Sequence, residues 1–253
     1  MTSITDIQPE QRVAIVTGGA RGIGAAITTA LARSGVHVAA GYSSNAKAAE
    51  ELAGKLGAEG ASVSVHQGNV GEPADCNRVV NDVLEQRGRV DYLVNNAGIT
   101  VDKTVRRMSV EDWHAVLRIN LSGAFYMTKA VLDHMTGRSF GRIVNISSVI
   151  GQTGSVGQSN YASSKAGLIG FSKSLAQEVA RKGVTVNCVA PGYIETEMVA
   201  AIPPEVLEKL LKGVPIGRLG QASEIARTVQ FLVDDDAGYI TGSVISVNGG
   251  LDM

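Results

Sequence analysis

Cysteine is nearly missing from the chain: Cys76 and Cys188 stand alone among 253 residues. Two isolated thiols build no disulfide framework, so a buried core must hold the fold, and a reduced, cytoplasmic protein is expected. A charge of one sign is lacking as well. A net charge of -1, with no run of lysine and arginine, supplies no field to steer nucleic acid or an anionic membrane; the expected partners are small molecules or other proteins. No apolar run reaches the roughly 18 residues that cross a bilayer. The opening MTSITDIQPEQR is polar and holds no apolar segment of signal-peptide type. His37, His66, His114 and His134 show no ligand spacing with one another or with the cysteines, so no metal site is expected. Aromatics reach only 4%, while 30 glycines and 44% hydrophobic residues describe a globular chain with many tight turns.

What is present alternates. Arg12 to Thr17 is a short apolar run, a glycine turn follows from Gly18 to Gly24, and an alanine-rich helical pattern continues to Arg33. Ser34-Gly35 closes that helix, and Val36 to Ala40 begins the next strand, completing a βαβ unit. Strand-like runs recur at Val63 to His66, Val90 to Val94, Arg142 to Ile146, Val184 to Val189 and Val244 to Val247, with helical patterns between most of them. The expectation is an α/β fold: one Rossmann-type, doubly wound parallel sheet of about seven strands with helices on both faces. No proline- or serine-rich linker and no shift in composition divides the chain. Residues 1–11 read as a polar leader and 12–253 as a single domain. Binding is expected at the carboxyl ends of the strands, where strand order reverses.

In the turn Thr17 to Gly24, glycines at 18, 22 and 24 let the backbone approach a ligand while a helix N-terminus points at it, an arrangement suited to a pyrophosphate. The spacing departs from the general G-x-G-x-x-G, and a purely structural strand-to-helix turn is the alternative. The second strand ends Ala40-Gly41-Tyr42-Ser43-Ser44. It offers no acid to bond a ribose 2′-hydroxyl and repel a 2′-phosphate, while Arg21, Tyr42 and Ser43 offer charge and hydroxyl donors. NADP(H) is therefore favoured over NAD(H). Further on, Tyr161 and Lys165 stand about one helical turn apart. An ammonium near a phenol stabilises the phenolate and lowers its pKa, which prepares the tyrosine as a proton donor or acceptor.

Taken together, these stretches resemble the short-chain dehydrogenase/reductase family over nearly the whole chain from about Gln11. The turn at 17 to 24 matches the family's cofactor motif, Asn95-Asn96-Ala97-Gly98 its N-N-A-G, and Tyr161-x-x-x-Lys165 its active-site pair. Ser148 lies thirteen residues before Tyr161, where the family has its catalytic serine, and Asn120 matches its active-site asparagine. The resemblance implies a catalytic set of Asn120, Ser148, Tyr161 and Lys165. It implies cofactor contacts from Gly18, Arg21, Gly22, Ile23, Gly24, Tyr42, Ser43, Asn69, Val70, Asn96, Ala97 and Gly98. Tyr161, Lys165, Pro191, Gly192, Ile194 and Thr196 complete that surface, with helix capping the alternative for Thr196. Many members carry aspartate where Asn69 stands, so that contact is a departure. Ser147, Ser163 and Ser164 are expected on a helix surface or in a turn.

Within the family, NNAGIT, NISSV, the GQxNY context of Tyr161, APGYIET and VNGGLDM resemble reductases of 3-oxoacyl thioesters. Two substrates stay open: acetoacetyl-CoA, which the stretches around Gly68, Gln158, Tyr193 and Asn248 favour, and the same acyl group on acyl carrier protein. The expected product is the (R)-3-hydroxyacyl thioester. Ser148, Gln158, Tyr161 and Tyr193 are the implied substrate contacts. Lys103, Arg106 and Arg107, or else Arg138, Arg142, Arg181 and Lys182, are available for phosphates. Residues 193–215 read as a lid over the acyl chain or as an ordinary packed helical pair. Oxidation of a sugar, steroid or secondary alcohol, and a non-catalytic NADPH-binding role, are the competing readings. The family also implies a homotetramer.

Overall fold

The computed structural model describes residues 11–196, 205 and 211–253. Seven parallel strands form one sheet: β1 (Val13–Val16), β2 (His37–Tyr42), β3 (Val63–Gln67), β4 (Tyr92–Asn95), β5 (Gly141–Ile146), β6 (Val184–Pro191) and β7 (Val244–Val247). Their spatial order is β3-β2-β1-β4-β5-β6-β7, so the order reverses between β1 and β4. The registers Val16↔Val94 and Val16↔Ala40 bring the ends of β1, β2 and β4 to one edge.

The helices are α1 (Gly22–Arg33), α2 (Ala46–Ala58), α3 (Pro73–Arg87), α4 (Val110–Leu117), α5 (Gly123–Gly137), α6 (Ile150–Thr153), α7 (Ser159–Val179) and α8 (Ala222–Val233). Strand period two distributes β1 between two cores. Ala14 and Val16 pack with Ile27 and Leu31 of α1, Leu56 of α2 and Ile225 and Val229 of α8. Val13 and Ile15 pack with Val80 and Val83 of α3, Met127 and Val131 of α5 and Leu175 and Val179 of α7. Both faces are covered, which is why the strands read as continuous apolar runs rather than alternating ones.

Local signals set the helix ends. Asn45 caps α2 by accepting the Ala48 N–H at 3.1 Å, and Ser109 with Asp112 forms a capping box on α4. Helix α1 differs: its N-cap Arg21 makes no side-chain cap, and its first turn carries no acid. That helix start faces the point where strand order reverses. Among the described residues, no helix is long and apolar enough to cross a membrane.

Candidate active site

Gly18 and Gly22 adopt φ values of +60° and +52°, the left-handed region that side chains disfavour. A Cβ on Gly24 would lie 2.0 Å from the Gly18 carbonyl oxygen and 2.6 Å from Asn96 Nδ2. The turn is closed against the loop after β4. Thr17 Oγ1 accepts the N–H groups of Asn96 and Ala97, each at 3.0 Å, and Asn96 Nδ2 donates to the carbonyls of Thr17 and Gly18. With Ile23 in the uncapped first turn of α1, this surface presents backbone N–H groups and the positive helix end to an anion. A dinucleotide pyrophosphate fits that cradle. Thr196 stands beside it, its methyl 3.6 Å from where a Cβ on Gly22 would be.

At the end of β2, Tyr42 is half-buried while Ser43 and Arg21 are exposed. Neither hydroxyl is held by a described hydrogen bond; the main-chain carbonyls of Tyr42 and Ser43 instead take Gly68 N–H and the Gln67 amide. Asn69 spends its carboxamide oxygen on the Gly71 N–H at 3.0 Å, and its own N–H goes to Asp75 Oδ2 at 2.8 Å. That N–H and Arg78 hold the Asp75 carboxyl below its ordinary value. A carboxylate thus sits six residues beyond the expected position, tied to the turn. Val70 packs its side chain where a Cβ on Gly123 would be, at 2.9 Å. Gly98 faces the other way: a Cβ there would stand 3.3 Å from Asn120 Oδ1 and 3.6 Å from Lys165 Nζ.

Tyr161, Lys165, Ser148 and Asn120 converge beside that glycine. Lys165 is buried and donates from Nζ to the Ile146 carbonyl at 2.7 Å, with Nζ 5.6 Å from the Tyr161 ring centre. Burial lowers its pKa to about 8. Tyr161 lies above the ordinary phenol range: burial raises it and Asp102 adds to this, while a hydrogen bond with Ser148 pulls it partway back. The expected lowering of Tyr161 does not appear, because burial outweighs the hydrogen bond with Ser148. Ser148 Oγ also accepts the Ile150 N–H at 3.1 Å, which fixes the hydroxyl at the start of α6. Asn120 lies in a π-helical segment, Arg118–Ser122, between α4 and α5. Its carboxamide pairs with Ile99 in both directions, Oδ1 accepting the N–H at 2.8 Å and Nδ2 donating to the carbonyl at 3.0 Å. An extra residue in one helical turn aims that side chain inward.

At the end of β6, the Pro191 carbonyl accepts the Val149 N–H. A Cβ on Gly192 would lie 2.8 Å from the Asn248 backbone. Ile194 is 5% exposed and belongs to the core, so only its main chain is available to a ligand. Tyr193 is half-buried and its carbonyl takes the Gly220 N–H. Gln158 Nε2 donates to Asp102 Oδ2 at 3.0 Å at the start of α7. Most of the expected lid, residues 197–204 and 206–210, lies outside the described residues, as do residues 1–10 of the 1–11 leader.

The second basic set belongs elsewhere. Arg142 is buried, with its guanidinium 4.5 Å from the Phe140 ring centre, and Arg138 approaches Asp91 at 3.4 Å, both at the amino end of the sheet. Lys103 is paired with Asp112 at 2.7 Å. Two serines also depart from expectation. Ser164 is fully buried, accepting from Asn120 Nδ2 and donating to the Tyr161 carbonyl at 2.7 Å. Ser147 donates from a buried position to the Lys165 carbonyl at 3.0 Å. Asn160 stood in the GQxNY stretch with no role of its own, and Asp102 was not singled out from the sequence. The signal for Asn160 was an amide at the start of a helix immediately before the key tyrosine.

A doubly wound sheet with an anion cradle at its reversal point and a buried lysine beside a tyrosine defines a dinucleotide-binding oxidoreductase class. A sequence model described as short chain dehydrogenase matches residues 12–206, and the chain belongs to that family, whose members use a nicotinamide cofactor. Among its relatives, the acetoacetyl-CoA reductase of Shinella zoogloeoides is 52% identical over 240 residues, covering 94% of this chain and 98% of that protein. The acetoacetyl-CoA reductase of Allochromatium vinosum is 48% identical over 243 residues, 96% of this chain and 99% of its own. The 3-oxoacyl-(acyl-carrier-protein) reductase FabG of Escherichia coli strain K12 is 48% identical over 244 residues, 96% and 98%.

Proposed function

We propose that the protein is an NADPH-dependent reductase of 3-oxoacyl thioesters that forms the (R)-3-hydroxyacyl product, with acetoacetyl-CoA its substrate ahead of the carrier-protein ester. The observation that carries this reading is the convergence of Ser148, Tyr161 and buried Lys165 beside Gly98, next to the glycine cradle. Relatives named for both thioesters support the substrate class. Gly18 to Gly24, Asn96 to Gly98 and Thr196 would hold the dinucleotide, and Arg21, Tyr42 and Ser43 would meet its 2′-phosphate. When bound, the reduced nicotinamide supplies hydride to the substrate carbonyl carbon.

The chain's own groups handle the charge that grows on the carbonyl oxygen. Ser148 donates a hydrogen bond to that oxygen, and Tyr161 gives it the proton. A phenol held above its ordinary value is protonated throughout the neutral range, the state a donor needs. Once Tyr161 is a phenolate, Lys165 stabilises it from the adjacent turn. Asn120 fixes Ile99 and the floor beside Lys165, and through a water it would pass protons to the lysine. Gln158 and Tyr193 would line the acyl pocket, and Arg106 and Arg107, exposed in the turn after Lys103, would meet phosphates of the thioester carrier.

Phe125, 44% exposed on α5 and set edge-on against Phe171 of α7, offers an apolar face for the homotetramer. Following NADPH oxidation with acetoacetyl-CoA and acetoacetyl-carrier protein at equal concentration, with NADH and Tyr161→Phe as controls, tests the reading. Faster turnover of the CoA ester is the expected result. Faster turnover of the carrier ester reassigns the substrate, turnover of neither removes the thioester assignment, and full activity in Tyr161→Phe removes the proton donor.

A further inference from the structure

Asn160 is 0% exposed, and its side chain ties three pieces of chain together. Nδ2 donates to the carbonyl of Val101 at 3.0 Å and to that of Asp112 at 3.4 Å. Oδ1 accepts the N–H of Tyr161 at 2.8 Å. Val101 belongs to the loop that leaves β4 through Gly98, the wall beside Lys165; Asp112 lies in the first turn of α4 and Tyr161 in the first turn of α7. Both amide hydrogens and the oxygen are therefore engaged, and no water is needed to satisfy the group.

The Tyr161 main chain is pinned on both sides, its N–H by Asn160 and its carbonyl by Ser164 Oγ at 2.7 Å. The same loop is fastened again by Lys103 N–H to the Gly157 carbonyl and by Gln158 to Asp102, but those contacts lie at more exposed positions. A first-turn N–H in a helix has no partner of its own and takes whatever acceptor is fixed nearby. Here the acceptor is itself immobilised by two carbonyls of other elements. We infer that Asn160 is the positioning residue for the proton donor, setting where the Tyr161 phenol stands relative to Ser148 and Lys165.

This rests on the reading of Tyr161 as the acid, and the experiment separates the two. Full-length wild type, Asn160→Ala, Asn160→Ser and Tyr161→Phe are compared for steady-state reduction of acetoacetyl-CoA, for NADPH affinity by fluorescence, and for phenol titration by near-ultraviolet difference absorbance. Tyr161→Phe isolates the Tyr161 component. For Asn160→Ala, kcat is expected to fall about 10- to 100-fold with the NADPH dissociation constant within about twofold. The Tyr161 titration is expected to move from its wild-type position as the phenol shifts relative to Ser148. Asn160→Ser, which keeps one small donor in the same place, should recover part of both effects and serves if the alanine variant fails to fold. If folded variants keep the wild-type titration and wild-type kcat per active molecule, the positioning role is overturned and Asn160 is only a structural tie. If Tyr161→Phe is itself fully active, the acid reading fails, and the positioning role with it.

Discussion

Lys165 sends its ammonium to the Ile146 carbonyl at 2.7 Å while standing 5.6 Å from the centre of the Tyr161 ring. The carbonyl at the end of β5 thus fixes the cation, and the phenol is presented to it from the next turn of α7. Burial that lowers Lys165 from 10.5 to about 8 makes its charge a cost to the fold. The folded state binds this proton less readily than the unfolded chain, so the group's contribution is most favourable above 10.5 and is lost as pH falls to about 8. Lys165→Met is expected to raise unfolding stability near neutral pH by about 1–3 kcal/mol, net of the lost bond to Ile146, with the gain fading toward pH 10.5. The same variant should lose activity by about 100-fold or more. Urea unfolding across pH, set beside kcat, checks both; a less stable variant would show that the buried charge is repaid by contacts around it.

Gly24→Ala tests the cradle without touching any proposed reacting group. Its Cβ would be driven into the Gly18 carbonyl and Asn96 Nδ2, so the turn must open. The expected outcome is loss of NADPH binding by about 100-fold or more, together with a stability loss of about 1–3 kcal/mol from overpacking. Fluorescence titration and a thermal melt read the two. Unchanged affinity would mean that the dinucleotide does not use this turn.

Ser43→Asp places a carboxylate at the end of β2, where none stands now. Repulsion of a 2′-phosphate and a new acceptor for a 2′-hydroxyl should move the ratio of kcat/KM for NADPH over NADH downward by about tenfold or more. An unchanged ratio would place the 2′-phosphate away from Ser43 and leave Arg21 and Tyr42 to hold it.

Much of this was legible in the residues because the determinants are local. Apolar runs separated by helical patterns gave strands within a residue or two of β1 to β7, since both faces of a parallel sheet are buried and leave no alternation to confuse. Helical spacing paired Tyr161 with Lys165, and resemblance to the short-chain family's motifs added Ser148 and Asn120. What was not legible depends on the third dimension. Whether Tyr161 rises or falls turns on its burial and on the Ser148 hydrogen bond, and sequence spacing reports neither. Ser164 and Ser147 looked like surface hydroxyls until α7 was set against β5 and the π-helical segment. Arg142 looked available until Phe140 covered it.

The pair His37 and His66 was invisible for the same reason, being 29 positions apart and joined only by strand pairing. His37 Nδ1 meets Ser62 Oγ at 2.7 Å, its Nε2 meets Ser64 Oγ at 3.0 Å, and Ser64 Oγ meets His66 Nε2 at 2.9 Å. Ser64 has one proton, so it donates to one ring and accepts from the other, which suits two neutral imidazoles. Two imidazolium rings would both aim N–H at that oxygen. Burial, with Arg87 and His66 nearby, lowers His37 from 6.5 to about 4, and burial likewise lowers His66, against the opposing pull of Asp82 and with Arg78 and Arg87 assisting. A histidine kept neutral by the fold contributes stability that is complete above 6.5 and is lost as pH falls toward 4. Between those values, the wild type should lose up to about 3 kcal/mol through His37. His37→Gln keeps a donor and an acceptor but carries no titrating proton, so its urea midpoint should fall less steeply over the same window. Parallel slopes for the two proteins would assign the acid sensitivity to His66 or to the carboxylates instead.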